Sequence, residues 1–191
     1  VEEAKWGFAV IENSLWQAIP KLMRELDEKI QLQGEKPLGL EVCPIHFASW
    51  MGGDRDGNPN VTSALTHEVM SLSRWIAADL YLRDIRALMN DLSMWDCSEE
   101  LRQEADRYSH ANKRNSNEPY RLILTQLRER LQSTLEWSAK EAKGEKSDAS
   151  NILIENDDLI QPLMLCYRSL LETGLHSVAN GLLLDTIRRV S

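Results

Sequence analysis

Asp54, Arg55 and Asp56 stand together between Gly52-Gly53 and Gly57-Asn58-Pro59, and no other stretch of the chain combines residue types so suited to chemistry. A guanidinium is permanently charged, and its planar fork of donors fits phosphate or carboxylate oxygens in pairs. The two glycines ahead of it give the backbone torsions that can aim it. Asp54 and Asp56 can orient Arg55 for such a task, or they can neutralise it in an ordinary surface salt-bridge loop. The residue types alone leave both open. A calcium loop is a third reading of the same acidic spacing, and it fails. Counted from Asp54, the sixth position is Pro59 where a glycine is needed, and the twelfth is Leu65 where a bidentate glutamate belongs.

The remaining reactive side chains are scattered. His46, His67, His110 and His176 show no metal-ligand spacing, and His46 reads as a surface or structural residue beside the loop. Cys43, Cys97 and Cys166 form no Cys-x-x-Cys pair, which argues against a structural zinc site and for reduced, mostly buried thiols. Arg188-Arg189 could receive an anion, but basic residues closing a helix also complement its dipole.

The loop needs elements to hold it. Glu41 to Met51 carries Val42, Ile45, Phe47 and Trp50 and is the best strand candidate, running 41–51 into the loop at 52–59. Thr62 or Ser63 can cap a long helix to about Leu92. One stripe of that helix is Leu65, Val69, Leu72, Ile76 and Leu80, and a second is Trp75, Ala78, Leu82, Ile85, Met89 and Leu92. Upstream, Phe8, Ile11, Leu15, Ile19, Leu22, Leu26 and Ile30 recur at helical intervals as a core face, with Pro20 expected to kink or divide the helix. Downstream, a helix over Glu99 to Tyr108 is followed by one starting at Pro119, with Tyr120, Leu124, Leu127, Leu131 and Leu135 on one stripe. Asn156-Asp157-Asp158 opens a helix ending at Gly174, and a last helix covers about Ser177 to Arg189. The class expected is mainly α, a single mostly helical segment over 1–191.

Composition limits the function. The net charge of −8 and a pI near 5.1 oppose a nucleic-acid surface, which needs clustered Lys and Arg. A hydrophobic content of 42% with mean hydropathy of −0.40 describes a soluble globular chain, and no apolar run is long enough for a membrane span. Val1 already lies inside a helical pattern, as expected of a section of a longer polypeptide.

Gly52-Gly53-Asp54-Arg55-Asp56-Gly57-Asn58-Pro59, with Phe47, Ser49, Trp50 and Met51 before it and Val61-Thr62 after it, resembles the signature of the phosphoenolpyruvate carboxylases. The resemblance extends to Trp6-Gly7-Phe8, to Ile11 through Pro20, to Glu118-Pro119-Tyr120-Arg121 and to Asn180 through Val190, in the right order and closest to the bacterial branch. It implies a parent of (β/α)8-barrel type with many added helices, several times longer than this chain. The implied reaction forms oxaloacetate and phosphate from phosphoenolpyruvate and bicarbonate, through carboxyphosphate and the enolate of pyruvate, with Mg2+ or Mn2+. It also implies a cytoplasmic, allosteric, homotetrameric enzyme of anaplerotic carbon fixation feeding the tricarboxylic acid cycle.

On that resemblance Arg55 is the catalytic arginine of this segment. Gly52, Gly53, Asp54, Asp56, Gly57 and Asn58 complete a phosphate- or bicarbonate-binding loop in which the aspartates orient rather than bind metal. The family's catalytic histidine lies in a His-Pro-Thr motif, and no histidine here precedes a proline. The family's metal carboxylates are absent as well. The chain therefore reads as an inactive internal section with no metal of its own. A helical scaffold without catalysis is the alternative.

Overall fold

The computed structural model describes residues 2–40, 42–49, 51–53, 56–57, 59–109 and 117–190. Helix α1 spans Glu2–Val10, a π-helical turn Ile11–Leu15, α2 Trp16–Leu32, α3 Ser63–Asp91, α4 Glu99–Ser109, and α5 Pro119–Glu141. Helix α6 spans Asp157–Glu172, the single turn α7 His176–Val178, a second π-helical turn Ala179–Leu183, and α8 Leu184–Val190. The mainly α class expected from periodicity is what the chain adopts.

No strand forms among the described residues, so the strand expected at 41–51 is a correction. Residues 42–49 run without regular structure, and Phe47 and Val42 are exposed. A strand needs a neighbouring strand to pair with, and none of the described residues offers one.

Where the sequence reads as one segment, the chain groups into two compact units: Val1–Leu80 with Ser133–Ile152, and Tyr81–Gln132 with Leu153–Ser191.

The first unit is built around a small core of Ala4, Phe8 and Val69, with Ile11, Met51, Leu65, Leu72 and Ile76 packed on it. Arg74 stacks on the Trp137 ring, 5.3 Å from its centroid. Pro20 has no N–H to give the carbonyl one turn back, yet α2 continues through it. The change of helical register comes upstream, in the π-helical turn, where the Trp16 N–H donates to the Ile11 carbonyl. Helix α2 closes at Gly34, whose φ of 83° lets its own N–H reach the Gln31 carbonyl at 2.9 Å while Glu35 reaches Ile30 at 3.3 Å. The next few residues are tied back by the Leu38 N–H, which donates to Asp27 Oδ1 at 2.7 Å.

The second unit holds the larger core. Tyr120, Leu124, Leu127 and Leu131 of α5 are all buried, as their spacing predicts, together with Leu82, Ile85, Leu88 and Leu92. Leu163, Cys166 and Leu170 of α6 are buried, and α6 packs on α4 and α8. Tyr120 and Ser169 share a hydrogen bond of 2.8 Å, and the Ser98 N–H donates to the same Ser169 Oγ at 2.8 Å. That network anchors the start of α4, because a buried polar group without a partner is costly. Asn156 makes no side-chain cap at the start of α6. Asp158 accepts from the N–H groups of Ile154 at 2.8 Å and Glu155 at 3.1 Å, and its other oxygen pairs with Arg130 at 2.9 Å.

Candidate loop at the amino end of helix α3

Thr62 caps α3. Its hydroxyl oxygen accepts from the Leu65 N–H at 3.2 Å, satisfying one of the free donors at a helix start. Four residues on, the Thr66 hydroxyl donates to the Gly52 carbonyl at 2.5 Å and lies 3.1 Å from the Thr62 carbonyl. The first residue of the signature loop is therefore bonded to the first turn of α3.

Gly52 is required there on two counts. Its φ is 74°, a conformation that side chains disfavour, and a Cβ would stand 2.9 Å from Val69 Cγ2. The residue before it is packed on α1: Met51 lies so close to Gly7 that a Cβ on Gly7 would meet Met51 Cε at 2.6 Å. Met51 also donates its N–H to Ser49 Oγ at 3.2 Å. The root of the loop is thus clamped between α1 and α3 by one hydrogen bond and two glycine-to-side-chain approaches.

Beyond the root, Gly53, Asp56 and Gly57 are exposed, and Gly57 has a φ of 73° with open space where a Cβ would stand. Arg55, the residue picked out as catalytic, lies outside the described residues, as do Asp54, Asn58 and Trp50.

Beside the start of α3, a cavity of about 460 Å³ is lined by residues that include Thr62, Leu65, His67, Glu68, Glu141 and Gly144. Its charged lining is acidic apart from His67, whose Nε2 lies 3.6 Å from Glu141 Oε2, so it does not suit an anion. His46 is exposed, in keeping with a surface residue.

The second unit carries a cavity of about 410 Å³ bordered by Arg86, Arg121 and Arg128. Arg121 donates from Nε to the Met89 carbonyl at 2.7 Å and from Nη1 to Glu118 at 3.0 Å. Periodicity gave no hint of this clustering, which depends on two helices separated in the chain.

Arg188 and Arg189 stand in the last turn of α8, as the dipole reading expects, and Arg189 has a partner besides. Its Nη1 lies 2.6 Å from Asp84 Oδ2, with the Arg189 side chain 4% exposed and that of Asp84 12%. Arg189 is thus a buried interhelical partner and not an open anion site. Among the described residues no three His, Cys, Asp or Glu side chains come together as a metal site. No helix there is long and apolar enough to cross a membrane.

The family model for phosphoenolpyruvate carboxylase matches residues 1–191. The chain is 61% identical over 189 residues to the phosphoenolpyruvate carboxylase of Marinobacter nauticus, covering 99% of this chain and 20% of that protein. It is 54% identical to that of Hahella chejuensis over 99% of the chain and 20% of the relative. With the Acinetobacter baumannii enzyme the identity is 53% over 100% of the chain and 21% of the relative. The chain thus spans about one fifth of the length of these relatives, and it belongs to the phosphoenolpyruvate carboxylase family.

Proposed function

We propose that this chain is an internal section of an enzyme that carboxylates phosphoenolpyruvate with bicarbonate to give oxaloacetate and phosphate, and that its contribution is the loop at 52–59. The observation that carries the reading is the match of the family model over the whole chain. The clamped root at Gly52 supports a role for the rest of the loop, because a loop bonded to a 29-residue helix can present a side chain with little freedom at its base.

In the reaction, a bicarbonate oxygen attacks phosphorus and the bond from phosphorus to the enolate oxygen breaks, leaving carboxyphosphate and the enolate of pyruvate. Carboxyphosphate then releases CO2 and phosphate, and the enolate carbon bonds to CO2. Every reacting species is an anion, so fixed positive charge aimed at the developing negative oxygens is the main requirement. Arg55 meets it by pairing two donors with phosphate or bicarbonate oxygens, with Asp54 and Asp56 holding the guanidinium in its plane.

The family's Mg2+ or Mn2+ would supply further positive charge to the reaction. The described residues do not fit that ion, since no three potential ligands converge, and no step here is routed through it. Its carboxylates, the catalytic histidine and the barrel strands belong to the parts of the longer enzyme outside 1–191. Residues 1–191 alone are accordingly inactive. The longer protein is a cytoplasmic, allosterically regulated homotetramer.

The test is direct. The reading frame on either side of the coding region should encode a His-Pro-Thr segment upstream and glycine- and arginine-rich loops downstream. Oxaloacetate formation by the full-length protein should depend on both phosphoenolpyruvate and bicarbonate. A protein of native length that forms no oxaloacetate from these two substrates would end the proposal.

A further inference from the structure

The cavity of about 410 Å³ in the second unit is walled by cations. It brings Arg86 and Asn90 of α3 together with Arg121, Arg128 and Gln132 of α5. Positions 86 and 90 are four apart, and 121, 128 and 132 are seven and four apart, so each set shares one helix face. All of them fall within Tyr81–Gln132, which places the cavity inside one compact unit.

The three arginines are held to different degrees. Arg121 is fixed: its Nε donates at 2.7 Å to the Met89 carbonyl, an acceptor that the last turn of α3 leaves open, and its Nη1 reaches Glu118 Oε2 at 3.0 Å. Its Nη2 makes no hydrogen bond among the described residues. Arg128 Nη2 stands 3.9 Å from Glu129 Oε1, a loose contact between partly exposed side chains. Arg86 makes no hydrogen bond or ion pair among the described residues. Neither Glu118 nor Glu129 lines the cavity, and among the described residues no other carboxylate does. The concave surface thus gathers three permanent positive charges with donors to spare, and a multiply charged anion would relieve their mutual repulsion.

From these observations we infer that the cavity binds a small phosphate monoester, its phosphoryl group held by Arg86, Arg121 and Arg128 and its polar body set against Asn90 and Gln132. A phosphoryl group brings three acceptor oxygens and about −1.5 to −2 charges at neutral pH, whereas a carboxylate brings two oxygens and one charge. The volume falls in the range of small-molecule sites, roughly 300–1,000 Å³. The two side-chain amides both donate and accept, which suits hydroxyl groups on the body of the ligand. The site uses no residue of the loop at 52–59 and does not depend on the role given to Arg55.

Equilibrium dialysis of the full-length protein against inorganic phosphate, and against glycerol 3-phosphate as a simple polar monoester, counts the sites per chain. In the double variant Arg86→Gln with Arg128→Gln, one site should disappear or weaken at least about tenfold. Gln132→Glu, a change at an exposed position that puts a negative charge into the lining, should weaken the same site, and it keeps the test open should the double variant fail to fold. Unchanged site number and affinity in a folded variant would overturn the inference. Glycerol 3-phosphate should bind this site more tightly than inorganic phosphate does; the reverse order would contradict a monoester as the occupant. Acetate displacing either probe at equal concentration would contradict the phosphoryl assignment. A protein that forms oxaloacetate yet lacks this site refutes the inference alone, and one that has the site yet forms no oxaloacetate refutes the carboxylase reading alone.

Discussion

Arg189 and Asp84 lie 105 positions apart and meet at 2.6 Å in a nearly dry setting. Thr186 Oγ1 approaches the same carboxylate oxygen at 3.5 Å, and the Tyr81 hydroxyl donates to the Arg189 carbonyl at 2.7 Å. Helix α8 is therefore fixed to the 81–91 part of α3 by a charged side chain, a hydroxyl and a backbone carbonyl together. Removing one partner leaves a buried charge, which costs about 3–5 kcal/mol. Asp84→Ala should destabilise the second unit by about 3 kcal/mol in urea unfolding. The paired change Asp84→Leu with Arg189→Met should recover much of that loss. A single variant within about 0.5 kcal/mol of the parent would show that the pair is not carrying α8.

Gly52 makes a second prediction, placed at the loop root. Gly52→Ala must hold a φ of 74° and displace Val69, a combined strain of about 2 kcal/mol. In the full-length enzyme it should lower kcat about tenfold or more, although Arg55 is intact, because the loop leaves its clamp. Adding Val69→Ala relieves the steric part only, so recovery should be partial. Unchanged kcat in Gly52→Ala would mean the root conformation does not matter to catalysis.

Asp158 predicts a pH effect. Its carboxyl is held at about 2, below the ordinary value, first by the Ile154 N–H and further by Arg130 and the Glu155 N–H. Since the folded value is depressed, this contribution to stability is fully present above the unfolded value near 3.9 and is lost as pH falls towards about 2. Asp158→Asn should cost about 1 kcal/mol at neutral pH and flatten the acid limb between about pH 4 and pH 2. Urea midpoints measured across that window check it, and an unchanged acid limb would count against the account.

Cys166 is wholly buried, and burial pushes its thiol up to about 12. The thiolate is the reactive form, so this residue should stay unlabelled in the native protein at about pH 8 and react only as the second unit unfolds. Mass spectrometry of a labelling time course would show it. Early modification of Cys166 would reveal local opening of α6.

Sequence legibility followed the reach of the forces involved. The α5 stripe from Tyr120 to Leu131 and the Thr62 cap depend on neighbours within a few residues, and both were readable. The α2 stripe was readable as an apolar face, but not the exposure of Leu22 and Leu26 within it, because spacing marks a face without saying what packs on it. The strand expected at 41–51 fails for the same reason: alternation and aromatic content mark a segment that needs a ladder, not one that has found it. The partner of Arg189 was not readable because it lies on another helix, a relation that no local spacing encodes. The π-helical turn at 11–15 had no signal beyond Pro20 one turn later. For the loop, the contacts that hold Gly52 to α1 and α3 lie on elements distant in the chain, and Arg55 itself lies outside the described residues.

The measurement closest to the central claim is a steady-state assay of oxaloacetate formation by full-length protein carrying Arg55→Ala or Arg55→Lys. Loss of one preorganised donor to a developing oxyanion costs about 10²–10³ in rate. Arg55→Ala should fall by at least that much while its circular dichroism and unfolding midpoint stay those of the parent. Arg55→Lys should also be poor, because an ammonium cannot form the paired contact of a guanidinium. Turnover near the parent value in both variants would contradict the account and remove Arg55 from the reaction.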